Sequence, residues 1–523
     1  MDNEQKMKPV KKYDNRLTHK IIYTIIQFKE SAFDYMSTGY HIIKIKFLEE
    51  FIMTKSPIAL TNSRYRLGYH VAAPTGWIND PNGFCHFKGY YHIFYQHHPY
   101  SAEWGPMHWG HARSKDLVHW ESLPIGLEPG SPEDKDGCFS GSAIVKDDIM
   151  YLFYTGHHYY NDGDPDHFWQ NQNMAYSEDG IHFTKYENNP IIDKEPEDNT
   201  HHFRDPKVWE HEGTYYMILG SQENDGLGRA ILYASQDLKA WDYLGSVSKA
   251  TDLKGEGFMW ECPDFFHLDG KDILLLSPQG IDPQEEKYLN LYQTGYFVGE
   301  MDYQTAKFTR GEFHELDKGH DFYATQTTLA PDGRRIVFGW MAMWESHMPE
   351  KEDGWAGALT LPRELRLKDG KLVMTPVKEL EALRVDEGKT ETLTVSDATL
   401  IAKDASHAEI LFSLPTTDAT LTFKDAQEQD ILSLVYTAET NKFVLRRNDT
   451  DEARYGTIQA NDTLKYHLFI DTSSVEIFIN DGETVFTERY YSESKPAVYL
   501  TTANETSVES TVYQLKADAV TYP

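Results

Sequence analysis

Cysteine is scarce in this chain of 523 residues, which carries Cys85, Cys138 and Cys262 and no others. An odd number at wide spacing excludes a disulfide framework and a paired zinc ligand set, and it suits a reducing compartment. Long apolar runs are lacking too. The N-terminal run Ile21-Ile22-Tyr23-Thr24-Ile25-Ile26-Gln27-Phe28 is short, is broken by Thr and Gln, and precedes no small-residue cleavage site. Neither a signal peptide nor a membrane span, which needs about 20 apolar residues, is therefore expected, and the expected location is cytoplasmic. Positive charge is in deficit. Lys and Arg number 50 against 82 Asp and Glu, a formal net charge of −32. That balance argues against a nucleic acid or an anionic membrane as partner and favours a neutral small substrate.

Aromatic residues are plentiful: 33 Tyr, 26 Phe and 11 Trp make 13% of the chain, a composition suited to strands and to stacking surfaces for ring-shaped ligands. The length exceeds one ordinary core, so two domains are the default. Residues 1–60 differ from the rest in having few turn signals, and they read as an N-terminal extension whose order the sequence leaves open. From there to 365 the sequence repeats loosely. Aromatic-rich strands recur as Tyr91-His92-Ile93-Phe94-Tyr95, Tyr151-Leu152-Phe153-Tyr154, Tyr215-Tyr216-Met217-Ile218-Leu219, Ile273-Leu274-Leu275-Leu276 and Ile336-Val337-Phe338-Gly339-Trp340. A Ser-x-Asp-x-x-x-aromatic element follows three of them, at Ser114 to Trp120, Ser177 to Phe183 and Ser235 to Trp241. Short strands repeating about every 60 residues predict radially arranged sheets, and five repeats predict a five-bladed β-propeller. Residues 366–384 read as a linker, and 385–523, with the hairpin signal Asn480-Asp481-Gly482 between alternating strands, as a β-sandwich. The expected fold class is thus all-β.

One phase of each repeat carries polar chemistry. Asn79-Asp80-Pro81, Phe139-Ser140-Gly141, Arg204-Asp205-Pro206, Glu261-Cys262-Pro263 and Tyr323-Ala324-Thr325 open the five repeats in turn. In a propeller, elements of one phase share one radius, so Asp80, Asp205 and Glu261 are predicted to converge on the axial pocket. Three carboxylates so placed cannot all ionise freely, and at least one is pushed upward and can serve as an acid. An ionised carboxylate beside a protonated one is the machinery of glycoside cleavage. Arg204 is expected to hold Asp205 ionised through its fixed charge. The histidines His86, His92, His97, His98, His108 and His111 lie in strands and turns rather than at helical zinc spacing, so no metal and no cofactor are expected.

These motifs in this order, from Trp77-Ile78-Asn79-Asp80-Pro81-Asn82-Gly83 through Glu261-Cys262-Pro263, resemble glycoside hydrolase family 32, the invertases or β-fructofuranosidases. The resemblance spans about residues 65 to 520 and leaves the N-terminal extension uncovered. It implies Asp80 as nucleophile, Glu261 as general acid/base, and Asp205 as a stabiliser holding fructosyl hydroxyls. It further implies that Asn79, Gln96, Trp104, Phe139, Ser140, Arg204, Tyr323 and Trp340 line a fructose subsite. The implied reaction is retaining hydrolysis of sucrose, sucrose 6-phosphate or short fructo-oligosaccharides. A fructosyltransferase, or a non-catalytic sugar-binding propeller, is the alternative, and the oligomeric state is left open.

Overall fold

The computed structural model describes residues 56–522, so the extension expected over 1–60 lies almost entirely outside the described residues. Five antiparallel sheets follow in chain order, and their first strands are Gly76–Phe87, Gly137–Lys146, Asn199–His211, Met259–Leu268 and Tyr323–Leu329. Each of these strands packs on the next and the fifth packs on the first, which closes a ring and makes them the inner strands of a five-bladed propeller. The four main strands of each blade pair in chain order and step outward, while the short strand His314–Glu315 adds to the third strand of the fourth blade and Trp355–Ala356 pairs with the inner strand of the first.

The polar motifs coincide with breaks in the ladders. Register shifts occur between Ile78 and Pro81, Phe139 and Gly141, Glu261 and Asp264, and Tyr323 and Thr325, and in the third blade between the partners of Arg204 and Lys207. All five inner strands therefore bulge at the same phase. Pro81, Pro206 and Pro263 sit in three of these bulges, where a residue without an N–H costs no ladder hydrogen bond. Asp205 (φ 66°), Cys262 (φ 48°) and Ala324 (φ 42°) take left-handed backbone there, which turns neighbouring side chains toward the axis.

Below that level the blades are tied by buried polar contacts. Lys207 of the third blade donates to Asp264 Oδ2 of the fourth at 3.0 Å and to Gln326 Oε1 of the fifth at 2.8 Å. The repeated Ser-x-Asp element is structural. In each copy the aspartate accepts two backbone N–H groups and the preceding serine donates to it, as Asp116 accepts from Val118 and His119. Asp179 and Asp237 do the same in their blades. These are tight side-chain turns between the third and fourth strands.

The hairpin Arg363–Lys368 and Lys371–Pro376 completes the fifth sheet. Residues 366–376, read from sequence as linker, thus supply propeller strands, and the connector proper is the turn of helix Lys378–Leu383. The polar alternation of the hairpin concealed it, because outer strands face solvent on one side. The C-terminal domain is two six-stranded sheets enclosing an apolar core that includes Ile410, Leu434, Phe443, Leu468, Ile477 and Phe486.

Buried ion pairs join the two domains. Arg363 is fully buried and donates to Glu476 Oε2 at 2.7 Å and to Asp317 Oδ2 at 2.9 Å. His70 lies between Asp471 (2.7 Å) and Glu476 (3.0 Å). The chain end returns to the first blade, where Val520 and Thr521 pair parallel to Trp120 and Glu121.

Candidate active site

The axial pocket is a cavity of about 210 Å³ whose wall includes Asp80, Asp205 and Glu261, one from each of three blades. Asp80 accepts from Ser140 Oγ at 2.6 Å on one oxygen and from Asn79 Nδ2 at 3.0 Å on the other. Asn79 is itself fixed, since Trp77 Nε1 donates to its Oδ1 at 2.8 Å. The Asp80 carboxyl is therefore locked in rotation, and burial, reinforced by the Glu261 charge, raises its pKa.

Asp205 is held by its own backbone and by the fourth blade. Its N–H donates to Thr155 Oγ1 at 3.0 Å, and its Oδ2 accepts from the Cys262 N–H at 2.9 Å. The Cys262 sulfur stands between two carboxylates, 3.4 Å from Asp80 Oδ2 and 3.7 Å from Asp205 Oδ2. Burial pushes the Asp205 carboxyl up to about 7, with the Arg204 charge opposing and the charges of Glu261 and Asp80 adding to the rise.

Glu261 has four donors. Arg204 reaches its Oε1 through Nε at 3.0 Å and Nη2 at 2.9 Å, while Gln279 Nε2 at 2.8 Å and Tyr323 OH at 2.5 Å share Oε2. The Arg204 charge does favour the ionised form of Asp205, as expected, and the geometry adds a second engagement. The guanidinium fork closes on Glu261, because the bulged strand turns Asp205 away from its neighbour and the fourth-blade carboxylate fills the fork.

Of the remaining residues expected at the site, Gln96, Phe139 and Ser140 face the cavity. Gln96 donates to the Cys138 carbonyl at 3.0 Å, and Phe139 stacks on His157 with ring centroids 4.1 Å apart. Trp104, 40% exposed, stands at the rim with its ring edge-on to Phe139. Tyr323 and Trp340 stand behind the wall. Tyr323 touches Glu261, whereas Trp340 is wholly buried between Trp77, Tyr323 and Trp344, and its indole N–H has no partner among the described residues.

The structure adds His157, His202, Phe168 and Trp344 to the cavity wall and Gln279 to the donors of Glu261. His157 and Gln279 come from second strands, Phe168 from a third strand and Trp344 from a loop, while His202 lies on the third inner strand two residues before Arg204, outside the motif that the repeat makes visible. The histidine cluster disperses. His97, His98 and His108 donate to the carbonyls of Trp77, Glu103 and Pro106, while His92 and His111 pair at 3.0 Å inside the first blade. Among the described residues no three metal-binding side chains come together.

A propeller whose axial pocket gathers three carboxylates, backed by a sandwich without comparable chemistry, is the architecture of a propeller-type glycoside hydrolase. Comparison with known proteins makes this particular. The model of the glycosyl hydrolases family 32 N-terminal domain matches residues 70–376, and that of the family 32 C-terminal domain matches 379–518. A sucrose-6-phosphate hydrolase of Zymomonas mobilis is 41% identical over 443 residues, covering 81% of this chain and 86% of that protein. The solved β-fructofuranosidase of Bombyx mori superposes with a TM-score of 0.81 at 38% identity, over 91% of this chain and 99% of that one. The sucrose-6-phosphate hydrolase of Lactobacillus gasseri gives 0.79 at 30% identity, over 88% and 95%. The chain belongs to glycosyl hydrolases family 32.

Proposed function

We propose that this protein hydrolyses terminal β-D-fructofuranosides, with sucrose, sucrose 6-phosphate and short fructo-oligosaccharides as the candidate substrates, and with retention at the anomeric carbon. The observation that carries this reading is the meeting of Asp80, Asp205 and Glu261 in one buried pocket, each on a different blade and each with distinct partners. Asp80 is the nucleophile. Ser140 and the Cys262 thiol engage Oδ2 of its carboxylate and Asn79 takes one lone pair of Oδ1, which leaves the other lone pair of Oδ1 to attack the anomeric carbon. Glu261 is the general acid, protonating the departing glycosidic oxygen and then activating water to release fructose.

Four donors aim at Glu261 in the resting geometry. To carry a proton on Oε2 it needs one of those donors to become an acceptor, and Tyr323 can do so by turning its hydroxyl toward the Ser277 carbonyl at 3.4 Å. Asp205 accepts hydroxyl groups of the fructosyl ring. Asn79, Gln96 and Ser140 supply polar contacts to that ring, Trp104 and Phe139 give it flat apolar faces, and Arg204 orients Glu261. A cytoplasmic location is part of the proposal, in keeping with three buried free thiols and with the bacterial sucrose-6-phosphate hydrolases among the relatives.

The test is direct. Asp80→Asn should fold as the parent does and lose at least about a thousandfold in kcat, as removal of a covalent nucleophile does. NMR of early turnover by the parent should show β-fructofuranose as the first product. Near-parental activity in Asp80→Asn, or an α-anomer formed first, would refute the assignment.

A further inference from the structure

The leaving group of such a reaction can be an uncharged sugar or one bearing a 6-phosphate, which carries a charge of about −1.5 to −2 at neutral pH. Binding the latter calls for unengaged cations or clustered N–H donors to replace its hydration. Among the described residues lining the cavity, Arg204 is the single lysine or arginine, and it is already engaged. Its side chain is 8% exposed, its fork closes on Glu261, and its Nη1 meets His202 Nδ1 at 2.9 Å. Lys351, whose ammonium lies 5.2 Å from the Trp77 ring, is held by Glu103 at 2.6 Å. His157 and His202 face the cavity as neutral rings, because burial and then the Arg204 charge push them down to about 3 and about 2.

The rim carries the opposite sign. The loop between the cavity-lining Tyr159 and Phe168 exposes Asp162, Asp164 and Asp166, of which Asp162 is paired with His167. Glu345, also exposed, follows the lining residue Trp344. Charge from both places reaches the same group: after burial and Glu261, it is Glu345 and, more weakly, Asp166 that raise the Tyr292 phenol. Tyr292 in turn lies 6.0 Å, ring to ring, from Tyr323 behind the catalytic wall.

We infer that the leaving-group side of this pocket takes an uncharged sugar, so that sucrose and neutral fructosides are hydrolysed in preference to sucrose 6-phosphate, with Asp166 and Glu345 as the carboxylates that set the preference. The inference rests on the fructosidase reading and narrows its substrate class. It separates this chain from those relatives whose names specify the phosphorylated sugar. Its physical basis is like-charge repulsion at the mouth of a low-dielectric cleft, which slows the approach of a dianion and leaves a bound one without a counter-charge.

The experiment compares kcat/KM of the full chain for sucrose and for sucrose 6-phosphate at low and at high ionic strength. Sucrose should be favoured by at least about tenfold at low salt, and the ratio should shrink as salt screens the exposed rim. Replacing both carboxylates, Asp166→Asn with Glu345→Gln, should raise the ratio of sucrose 6-phosphate to sucrose efficiency by about threefold or more. Equal or better use of the phosphorylated sugar by the parent would overturn the inference, as would a preference indifferent both to salt and to the double substitution. The salt arm reads the unaltered protein and so does not depend on how the variant folds. Failure to turn over either sugar would overturn the fructosidase reading itself, and this inference with it.

Discussion

Tyr323→Phe separates two accounts of a residue that the family pattern assigns to the fructose subsite. In the structure its hydroxyl donates to Glu261 Oε2 at 2.5 Å from a position that is 1% exposed, which sets it against Glu261 behind the cavity wall. A hydrogen bond to a charged group contributes about 1.5–3 kcal/mol. If that contribution is realised in the transition state, its loss lowers kcat by roughly 10- to 150-fold, at about 1.4 kcal/mol per factor of ten. Folding should be nearly unaffected, because phenylalanine leaves no orphaned donor and Glu261 Oε2 keeps Gln279 at 2.8 Å. KM should stay within about twofold, since no interaction with bound sugar is removed. Steady-state kinetics on sucrose with a parallel thermal melt measures all three quantities. An unchanged kcat with a raised KM would refute the reasoning and return Tyr323 to the sugar subsite. So would parental activity, which would mean that Gln279 and Arg204 orient Glu261 unaided.

Two further outcomes follow from buried charge. Asp205 must be ionised to accept sugar hydroxyls, and its pKa is raised, so kcat/KM should fall as pH drops through a value above the ordinary carboxylate range near 4. A pH profile of the parent that stays flat down to about pH 4 would contradict this. At the domain junction, Arg363→Met removes the shared partner of Glu476 and Asp317 and leaves two buried carboxylates short of positive charge. Urea unfolding should register a loss of about 3–5 kcal/mol, and a loss below about 1 kcal/mol would show that His70 and Thr487 satisfy them without the arginine.

The bulges explain why the motifs that meet at the axial pocket could be found from the sequence. Asp80-Pro81, Asp205-Pro206 and Glu261-Cys262-Pro263 are legible because a proline one or two residues after the carboxylate marks a strand that must break its ladder, and because the breaks recur from blade to blade. The residues of the rim left no such mark. His157 comes from a second strand and Trp344 from a loop, and their places depend on how blades distant in sequence close around the axis. The outer hairpin 363–376 was likewise unreadable as propeller, since a solvated outer strand and a linker have similar composition.

What the sequence by itself determined was therefore radial: five repeats, all-β, with Asp80, Asp205 and Glu261 brought to one axis. That much needs only periodicity, because equivalent positions in a closed ring fall at equal radius. Tertiary structure decided the pairings across the axis, namely that Arg204 grips Glu261, that Tyr323 stands against Glu261 behind the cavity wall, and that the rim is acidic. Those facts depend on distances of a few ångströms between side chains from different blades, which local sequence does not encode and closure of the ring sets.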